Sequence, residues 1–293
     1  MPDLNSGGIE PFDFIICTTK NIPDAPPILA DLIRPAVTPN RSIIVLVQNG
    51  LNIEKPILEA FPSNICLSGV SLCGANEPNS GHITQDDPDR LYIGAFDNPN
   101  IEKQAQANAA HDFVKLYSAS GKAKCWYEPD VLFVRWRKLM YNAVWNPICA
   151  LTDLDTTRLR LGSEATDPTS PLNLLVIPAM NEIRAAALAA AKVKLDESLV
   201  QSMIDCDPIE IFCQPSMMQD VRKKRFIEYE NILGEALKEG EAAGASMPTI
   251  KVLYGMCKAV QWRTREAQGL VDPVSLLKTK NSEKLSTVTG SAN

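Results

Sequence analysis

Short apolar runs alternate with helical stretches over the first 125 residues, and this alternation restricts the possible folds more than any other feature. The runs "FDFIICTT" (12–19) and "SIIVLVQNG" (42–50) are nearly continuous, without the polar alternation of a half-solvated strand. Such runs are typical of strands buried on both faces, in a parallel sheet that helices cover. The sequence therefore predicts an α/β domain over residues 1–125.

The remaining segments of this domain continue the pattern. We predict helices at 24–37, 53–61 and 101–120, and a third strand in "NICLSGVSLCGA" (64–75). The segments "GHITQ" and "RLYIGAF" are predicted to pair as a hairpin.

From Trp126 onward the pattern changes to long helical periodicities. Residues 126–273 are predicted to form a separate all-α domain, and residues 274–293, which lack large aromatics and periodicity, a disordered tail. The predicted helices of the second domain cover 130–151, 171–193, 196–205, 216–243 and 248–268.

Composition argues against several classes of function. The net charge of -6 leaves no basic excess to neutralise phosphates, so we expect no nucleic-acid partner. The most apolar helical stretch is interrupted by Pro178, Asn181 and Glu182, so we expect no membrane span. The acidic, polar start is not a signal peptide. We expect a cytoplasmic protein.

Cysteine and histidine usage argues against metal and disulfide chemistry. None of the eight cysteines forms a CxxC pair, which favours reduced thiols in a cytosolic protein over disulfides or zinc. Only two histidines are present, and His82 lies in a turn-like stretch where we expect a surface residue. We therefore predict no metal site and no Ser-His-Asp triad.

A polar ridge runs through the apolar stretch "VRWRKLMYNAVWNPICAL" (134–151). Lys138, Asn142 and Asn146 recur every fourth residue, so they lie on one helical face. Amides in this arrangement can bind a carboxylate or hydroxyl, and a partly buried lysine has a lowered pKa suited to proton transfer. The alternative is the solvated side of an amphipathic helix, although such a face usually carries several charges. Pro147 in addition predicts a kink.

Polar residues also follow the first two predicted strands, at the sheet edge where open α/β sheets bind ligands. Lys20 follows the first strand, and Gln48, Asn49 and Gly50 follow the second. A lysine at this edge can meet a phosphate, an asparagine can hydrogen-bond a hydroxyl, and glycine allows close backbone approach. On this short motif alone, a plain turn with a solvated lysine is the simpler interpretation.

The segment 216–243 is predicted to be one helix with a capping box formed by Ser216 and Gln219. Capping is compatible with ligand contact, because a helix N-terminus favours an anion. Glu228 would lie three turns into this helix. Its alternative role is a surface ion pair with Lys224, four residues earlier.

Taken in order, these motifs resemble the ketopantoate reductase (2-dehydropantoate 2-reductase) family over most of residues 12–265. The most specific matches are "RKLMYNAVWNPICALT" and "SMMQDVRKKRFIEYENILGEAL". The resemblance implies a Rossmann-like parallel-sheet domain followed by an all-α domain of the 6-phosphogluconate dehydrogenase C-terminal type, and a homodimer. It also implies NADPH-dependent reduction of ketopantoate to pantoate, on the route to pantothenate and coenzyme A.

The resemblance assigns roles position by position. It makes Lys138 the proton donor to the ketone oxygen and Glu228 a second active-site residue that helps to place cofactor and substrate. Asn142 and Asn146 would line the substrate site, and Ser216 would hold the substrate carboxylate. On the cofactor side the implied residues are Lys20, Gln48 and Asn49.

One departure from the family is large. Family members begin with a strand, a G-x-G-x-x-G turn and a helix, whereas this sequence begins almost at the fourth strand, and Gly7 and Gly8 lack the required spacing. The first βαβ unit of the Rossmann-like domain is therefore missing. The recorded start is wrong, a second chain completes the sheet, or the chain is an inactive relative. We favour the first, because the Lys-Asn-Asn, Ser and Glu set is intact.

Two alternative functions follow from that departure. One is a non-catalytic homologue that cannot bind the dinucleotide. The other is a reductase of a different 2-keto acid, since one sequence does not resolve the side chains that select the substrate.

Overall fold

The computed structural model describes residues 10–85 and 87–278. Its main sheet has five strands in the order β1-β2-β3-β6-β7, and β4 and β5 form a separate hairpin. The strands β1, β2 and β3 are parallel neighbours, β6 is antiparallel to β3, and β7 is parallel to β6. The strands are β1 (Phe14–Cys17), β2 (Ile43–Leu46), β3 (Cys66–Ser71), β4 (Ala75–Asn79), β5 (His82–Gln85), β6 (Arg90–Ala95) and β7 (Lys124–Tyr127).

Helices cover both faces of the sheet, which explains the continuous apolar run of β2. Ile44 and Leu46 pack on the face that α1 and α2 cover, and Val45 packs on the opposite face with α3. All three side chains are buried. The predicted α/β fold is thereby confirmed. The covering helices are α1 (Leu29–Ile33), α2 (Lys55–Ala60) and α3 (Lys103–Ser118).

Two predictions about the strands are wrong. Ile16 of β1 is 46% exposed, so the run 12–19 is not buried on both faces. Within the described residues, β1 pairs only with β2 and is an edge strand. The predicted hairpin of β5 with β6 does not form either. Instead β5 pairs with β4, and β6 joins the main sheet beside β3.

The helical part of the chain is organised around α4 (Val131–Thr152), which begins where the Asp130 side chain accepts from the backbone N–H of Phe133. The helix continues through Pro147, and its Trp136 and Trp145 side chains are fully buried. The helices α6, α8 and α10 pack against it. The following helices are α5 (Thr156–Leu161), α6 (Ile177–Ala191), α7 (Ser198–Ile204), α8 (Ser216–Arg222), α9 (Glu235–Ala242) and α10 (Pro248–Ala267).

The predicted single helix at 216–243 is wrong. α8 ends at Arg222, Lys224 adopts a left-handed conformation (φ 54°), and helical structure resumes in the π-helical turn Glu230–Gly234 before α9. The predicted capping box is also absent. Ser216 is the first residue inside α8 and makes no capping bond, while Gln219 donates its side-chain amide to Gln214 O at 2.8 Å.

Two further segments bear on the sequence predictions. Residues 273–278 are helical, which corrects the start of the predicted disordered tail, and 279–293 lie outside the described residues. Leu172–Ala191 is long and apolar enough to cross a membrane by length and mean hydropathy (1.4), a test that core helices also pass. The α6 part of this segment packs against α4 and α9.

Candidate functional site

The turn after β2, residues 48–50, packs against the π-helical turn Glu230–Gly234. Leu51 N donates to Asn231 O at 2.7 Å, and the Asn231 side chain donates back to Leu51 O at 3.0 Å. Gly50 has φ +97°, and a Cβ at this position would lie 2.6 Å from Asn231 Cβ. Only glycine fits this close approach with a left-handed backbone.

This turn brings Asn49 to Lys138. The Lys138 Nζ donates to Asn49 Oδ1 at 2.7 Å. Burial and, after it, the charge of Arg135 lower the pKa of Lys138 to about 8, although Glu228 and Cys73 oppose the shift. The structure thus places an ammonium that exchanges its proton near neutral pH at the carboxyl edge of the sheet.

A small cavity surrounds this pair, with a volume of about 10 Å³. That space holds about one water molecule. Four predicted site residues meet here, namely Gln48, Asn49, Lys138 and Asn142. Among the cavity-lining residues that sequence reasoning did not select are Val70, Arg135 and Leu139.

Asn142 and Asn146 are buried along the same face of α4, at 9% and 2% exposure. Neither side-chain amide has a hydrogen-bond partner among the residues that the structure describes. Neither amide is among the fully buried polar groups that lack a partner, so both reach accessible space and remain open to a ligand or to water. Asn146 lies one turn beyond the residues that line the cavity.

Lys20 connects the sheet edge to the helical part of the chain. Its Nζ lies 2.7 Å from Asp220 Oδ2 and 3.3 Å from Glu228 Oε2, and both carboxylates are buried. Burial by itself lowers the pKa of Lys20, but the two carboxylates outweigh it, so the pKa is raised. Burial raises the pKa of Asp220, and Lys20 opposes that shift.

Glu228 also accepts a hydrogen bond from the backbone N–H of Asn21 at 3.0 Å. The alternative pairing of Glu228 with Lys224 is wrong, because the break after α8 leaves Lys224 exposed in a turn. Sequence reasoning missed Asp220. Its spacing of four from Ser216 places it on the same face of α8 as a predicted site residue, and this was the available signal.

Ser216 and Gln48 are predicted site residues that hydrogen-bond to neither lysine among the described residues. Ser216 is exposed at the beginning of α8. Gln48 is buried at 4% exposure and donates its side-chain amide to Thr19 O at 2.8 Å. Its side-chain oxygen is buried without a hydrogen-bond partner. Gln48 therefore joins the loops after β1 and β2 and leaves one acceptor unused.

Three predicted site residues lie at the edge where open α/β sheets bind their ligands, and they could contact one end of a dinucleotide. Asn49 and Lys138 line the small cavity after β2, and Lys20 follows β1 and pairs with Asp220. Within 10–85 and 87–278, no glycine-rich turn joins a strand to a helix as a pyrophosphate cradle. No group of three or more His, Cys, Asp or Glu side chains among these residues could hold a metal ion.

Comparison with known proteins identifies a family that this chain resembles along most of its length. Residues 4–98 match the family profile "Ketopantoate reductase PanE/ApbA", and residues 130–261 match its C-terminal counterpart. An uncharacterized protein of Saccharomyces cerevisiae is 35% identical over 275 residues, covering 89% of this chain and 75% of the relative. The 2-dehydropantoate 2-reductase of a Nostoc species is 27% identical over 242 residues, covering 81% and 72%.

Solved structures share the fold. The 2-dehydropantoate 2-reductase of Methylococcus capsulatus superimposes with a TM-score of 0.66 and 27% identity, over 87% of this chain and 77% of that chain. D-mandelate dehydrogenase with NADH and anilino(oxo)acetate gives a TM-score of 0.70 at 20% identity, covering 86% and 77%. At that identity the second likeness concerns the fold alone.

Proposed function

Because the chain belongs to the ketopantoate reductase family, we propose that it reduces 2-dehydropantoate (ketopantoate) to pantoate with NADPH, on the route to pantothenate and coenzyme A. The observation that carries this proposal is the Lys138 ammonium, held at 2.7 Å by Asn49 at the sheet edge with a pKa of about 8. A general acid works best when its pKa lies near the working pH.

Lys138 supplies the proton in this proposal. The dinucleotide, when bound, supplies a hydride to the ketone carbon. Negative charge then develops on the ketone oxygen, where the Lys138 ammonium stabilises it and gives up its proton. The hydrogen bond to Asn49 holds the ammonium in one direction.

The remaining residues bind and orient. The unpartnered amides of Asn142 and Asn146 supply donors and acceptors for substrate oxygens, and the exposed Ser216 at the start of α8 supplies a hydroxyl for the substrate carboxylate. Lys20, whose pKa is raised, remains a cation on the cofactor side, with Glu228 as its partner. The opposite pKa shifts of the two lysines favour Lys138 as the proton donor.

The test is oxidation of NADPH by the full chain with ketopantoate, followed at the absorbance of the reduced nicotinamide. Parallel reactions with NADH and with other 2-keto acids separate this proposal from a related reductase. Calorimetric titration with NADPH tests the alternative, a non-catalytic homologue that cannot bind the dinucleotide. Absence of both NADPH binding and turnover would favour that alternative and contradict the proposal.

The pH dependence follows from the donor role. Lys138 must be protonated to give a proton, and its folded pKa is about 8. We expect kcat/KM to be level below that value and to fall about tenfold per pH unit above it, since one proton is required. A profile from pH 6 to 10 measures this. An alkaline limb that begins only near the ordinary lysine value of about 10.4 would argue against Lys138 in this environment.

We also propose a homodimer in the cytoplasm. A ketopantoate reductase of Staphylococcus aureus is described as dimeric. In this chain an apolar groove of about 360 Å³ lies between α4, α10 and the turn before α6, and its Leu174 and Val252 are 55% and 62% exposed. All eight cysteines are free thiols, as expected in a reducing compartment. Light scattering that gives only the 32.1 kDa monomer would contradict the dimer.

A further inference from the structure

Arg135 is a buried arginine on α4, three residues before Lys138, and its side chain is 4% exposed. None of the site roles described above includes it. Its guanidinium points at the turn after β2 and at the middle of β3, and it donates to four residues there. The acceptors are Gly50 O at 2.8 Å, Gln48 O at 3.2 Å, Gly69 O at 3.2 Å and Ser68 Oγ at 2.9 and 3.1 Å.

We propose that Arg135 is a positioning residue for the proposed reaction, whose guanidinium ties the 48–50 turn to α4 so that Asn49 meets the Lys138 ammonium. The proposal rests on the proposed function for its catalytic consequence. Its geometric part stands on the hydrogen bonds alone.

The geometry of the turn supports this assignment. Arg135 binds the carbonyl oxygens of Gln48 and Gly50, so it holds the turn one residue before and one residue after Asn49. The same helix carries Lys138 about one turn later, on a neighbouring position of the same face. The planar fork of arginine can serve several fixed acceptors at once, which a lysine ammonium cannot do in the same geometry.

The charges around Lys138 also support the positioning role of Arg135. Burial lowers the pKa of Lys138 most, and Arg135 on the same helix lowers it as well. Glu228, which precedes the turn Glu230–Gly234, and Cys73, which follows β3, raise it. Arg135 itself keeps its proton at neutral pH, because burial lowers its pKa only to about 10 and Glu54 opposes the shift. A fixed cation beside Lys138 makes the lysine a readier proton donor.

The alternative is that Arg135 only joins the two parts of the chain, as its contact with the Phe96 ring at 5.2 Å would also do. A purely structural residue can alter stability without moving the titration of Lys138. It would also not change kcat apart from the fraction of folded protein. The test therefore needs measurements that stability alone does not shift.

The experiment compares Arg135→Met, Arg135→Lys and the control Arg137→Met, all in the full chain. Arg137 is the neighbouring arginine on α4, and it is not among the charges that act on Lys138. The Lys138 amine is titrated by the pH dependence of its acetylation with acetic anhydride, read by peptide mass spectrometry. Hydrogen exchange of the peptide spanning 47–52 reports on the turn. Neither measurement needs turnover.

In Arg135→Met we expect the Lys138 midpoint to rise from near pH 8 by about half a pH unit or more, because one nearby cation is lost. In Arg135→Lys the charge remains, so the midpoint should move less. Exchange at 47–52 should rise in both variants, and kcat should fall about tenfold or more with a smaller change in KM, since misplacement of a catalytic group is costly. Arg137→Met should match the original chain.

A folded Arg135→Met with an unchanged Lys138 midpoint and unchanged exchange at 47–52 would overturn the proposal. If Arg135→Met does not fold, Arg135→Lys decides, and unchanged exchange in that variant overturns it. Failure of the proposed function has a different signature. It leaves the original chain without turnover while the Lys138 titration and its response to Arg135 substitution persist.

Discussion

Lys138→Ala is expected to lower kcat by about a thousandfold, within the range of about 10²–10⁴ that general acids contribute. The variant loses the proton donor and the positive charge that stabilises the developing oxyanion. Dinucleotide affinity should change little, because Lys20 and its two carboxylate partners are untouched. Steady-state kinetics with ketopantoate and a fluorescence titration with NADPH measure the two effects separately.

Two further variants sharpen this result. Lys238→Ala is the matched control, because the Lys238 side chain on α9 is 71% exposed and its one ion pair among the described residues is with Glu235, at 3.7 Å. It should retain full turnover. Lys138→Arg keeps the charge but not the exchangeable proton, so it should remain strongly impaired. Turnover of Lys138→Ala within about tenfold of the original chain would mean that another group supplies the proton.

Gly50→Ala is expected to lower the free energy of unfolding by about 3 kcal/mol, since it combines backbone strain with overpacking. The new Cβ would lie 2.6 Å from Asn231 Cβ and 2.7 Å from the Asn231 carbonyl carbon and oxygen, at φ +97°. Backbone atoms of a helical turn cannot move away as a flexible side chain would. Urea unfolding measures the loss.

Gly81→Ala separates the backbone strain from the overpacking. Gly81, in the turn between β4 and β5, has φ +77° but open space around the position of a Cβ. Its substitution carries the backbone strain without the clash and should cost about 1 kcal/mol. Equal losses in the two variants would show that the contact of Gly50 with Asn231 does not restrict the turn.

The four-residue spacing of the polar side chains predicted the ridge on α4 correctly. Lys138, Asn142 and Asn146 lie along one face of a continuous helix, because a spacing of four is a local property that tertiary contacts seldom override. The same reasoning failed at 216–243. The break between α8 and the turn Glu230–Gly234 places Glu228 beside Lys20 and not beside Lys224. Local periodicity contained no signal for that long-range pairing.

The residues that sequence reasoning missed share a physical cause. Arg135 and Asp220 are charged helical residues, for which the usual expectation is a solvated side chain. Both are buried because acceptors or a cation from distant segments meet them. Arg135 meets carbonyls of the turn after β2 and of Gly69 in β3, and Asp220 meets Lys20. Those partners come from positions that only the folded chain brings close.

The sequence by itself determined the α/β fold with its helical second part, the polar ridge on α4, and the resemblance that led to the family. Tertiary structure decided how the two lysines differ. Lys138 is half-buried, and desolvation followed by the charge of Arg135 lowers its pKa, whereas Lys20 meets Asp220 and Glu228, which raise its pKa. Burial and the distance between charges set these shifts, and both depend on distant segments of the chain. Lys20 and Asp220, for example, are 200 residues apart in the chain but in contact in the fold.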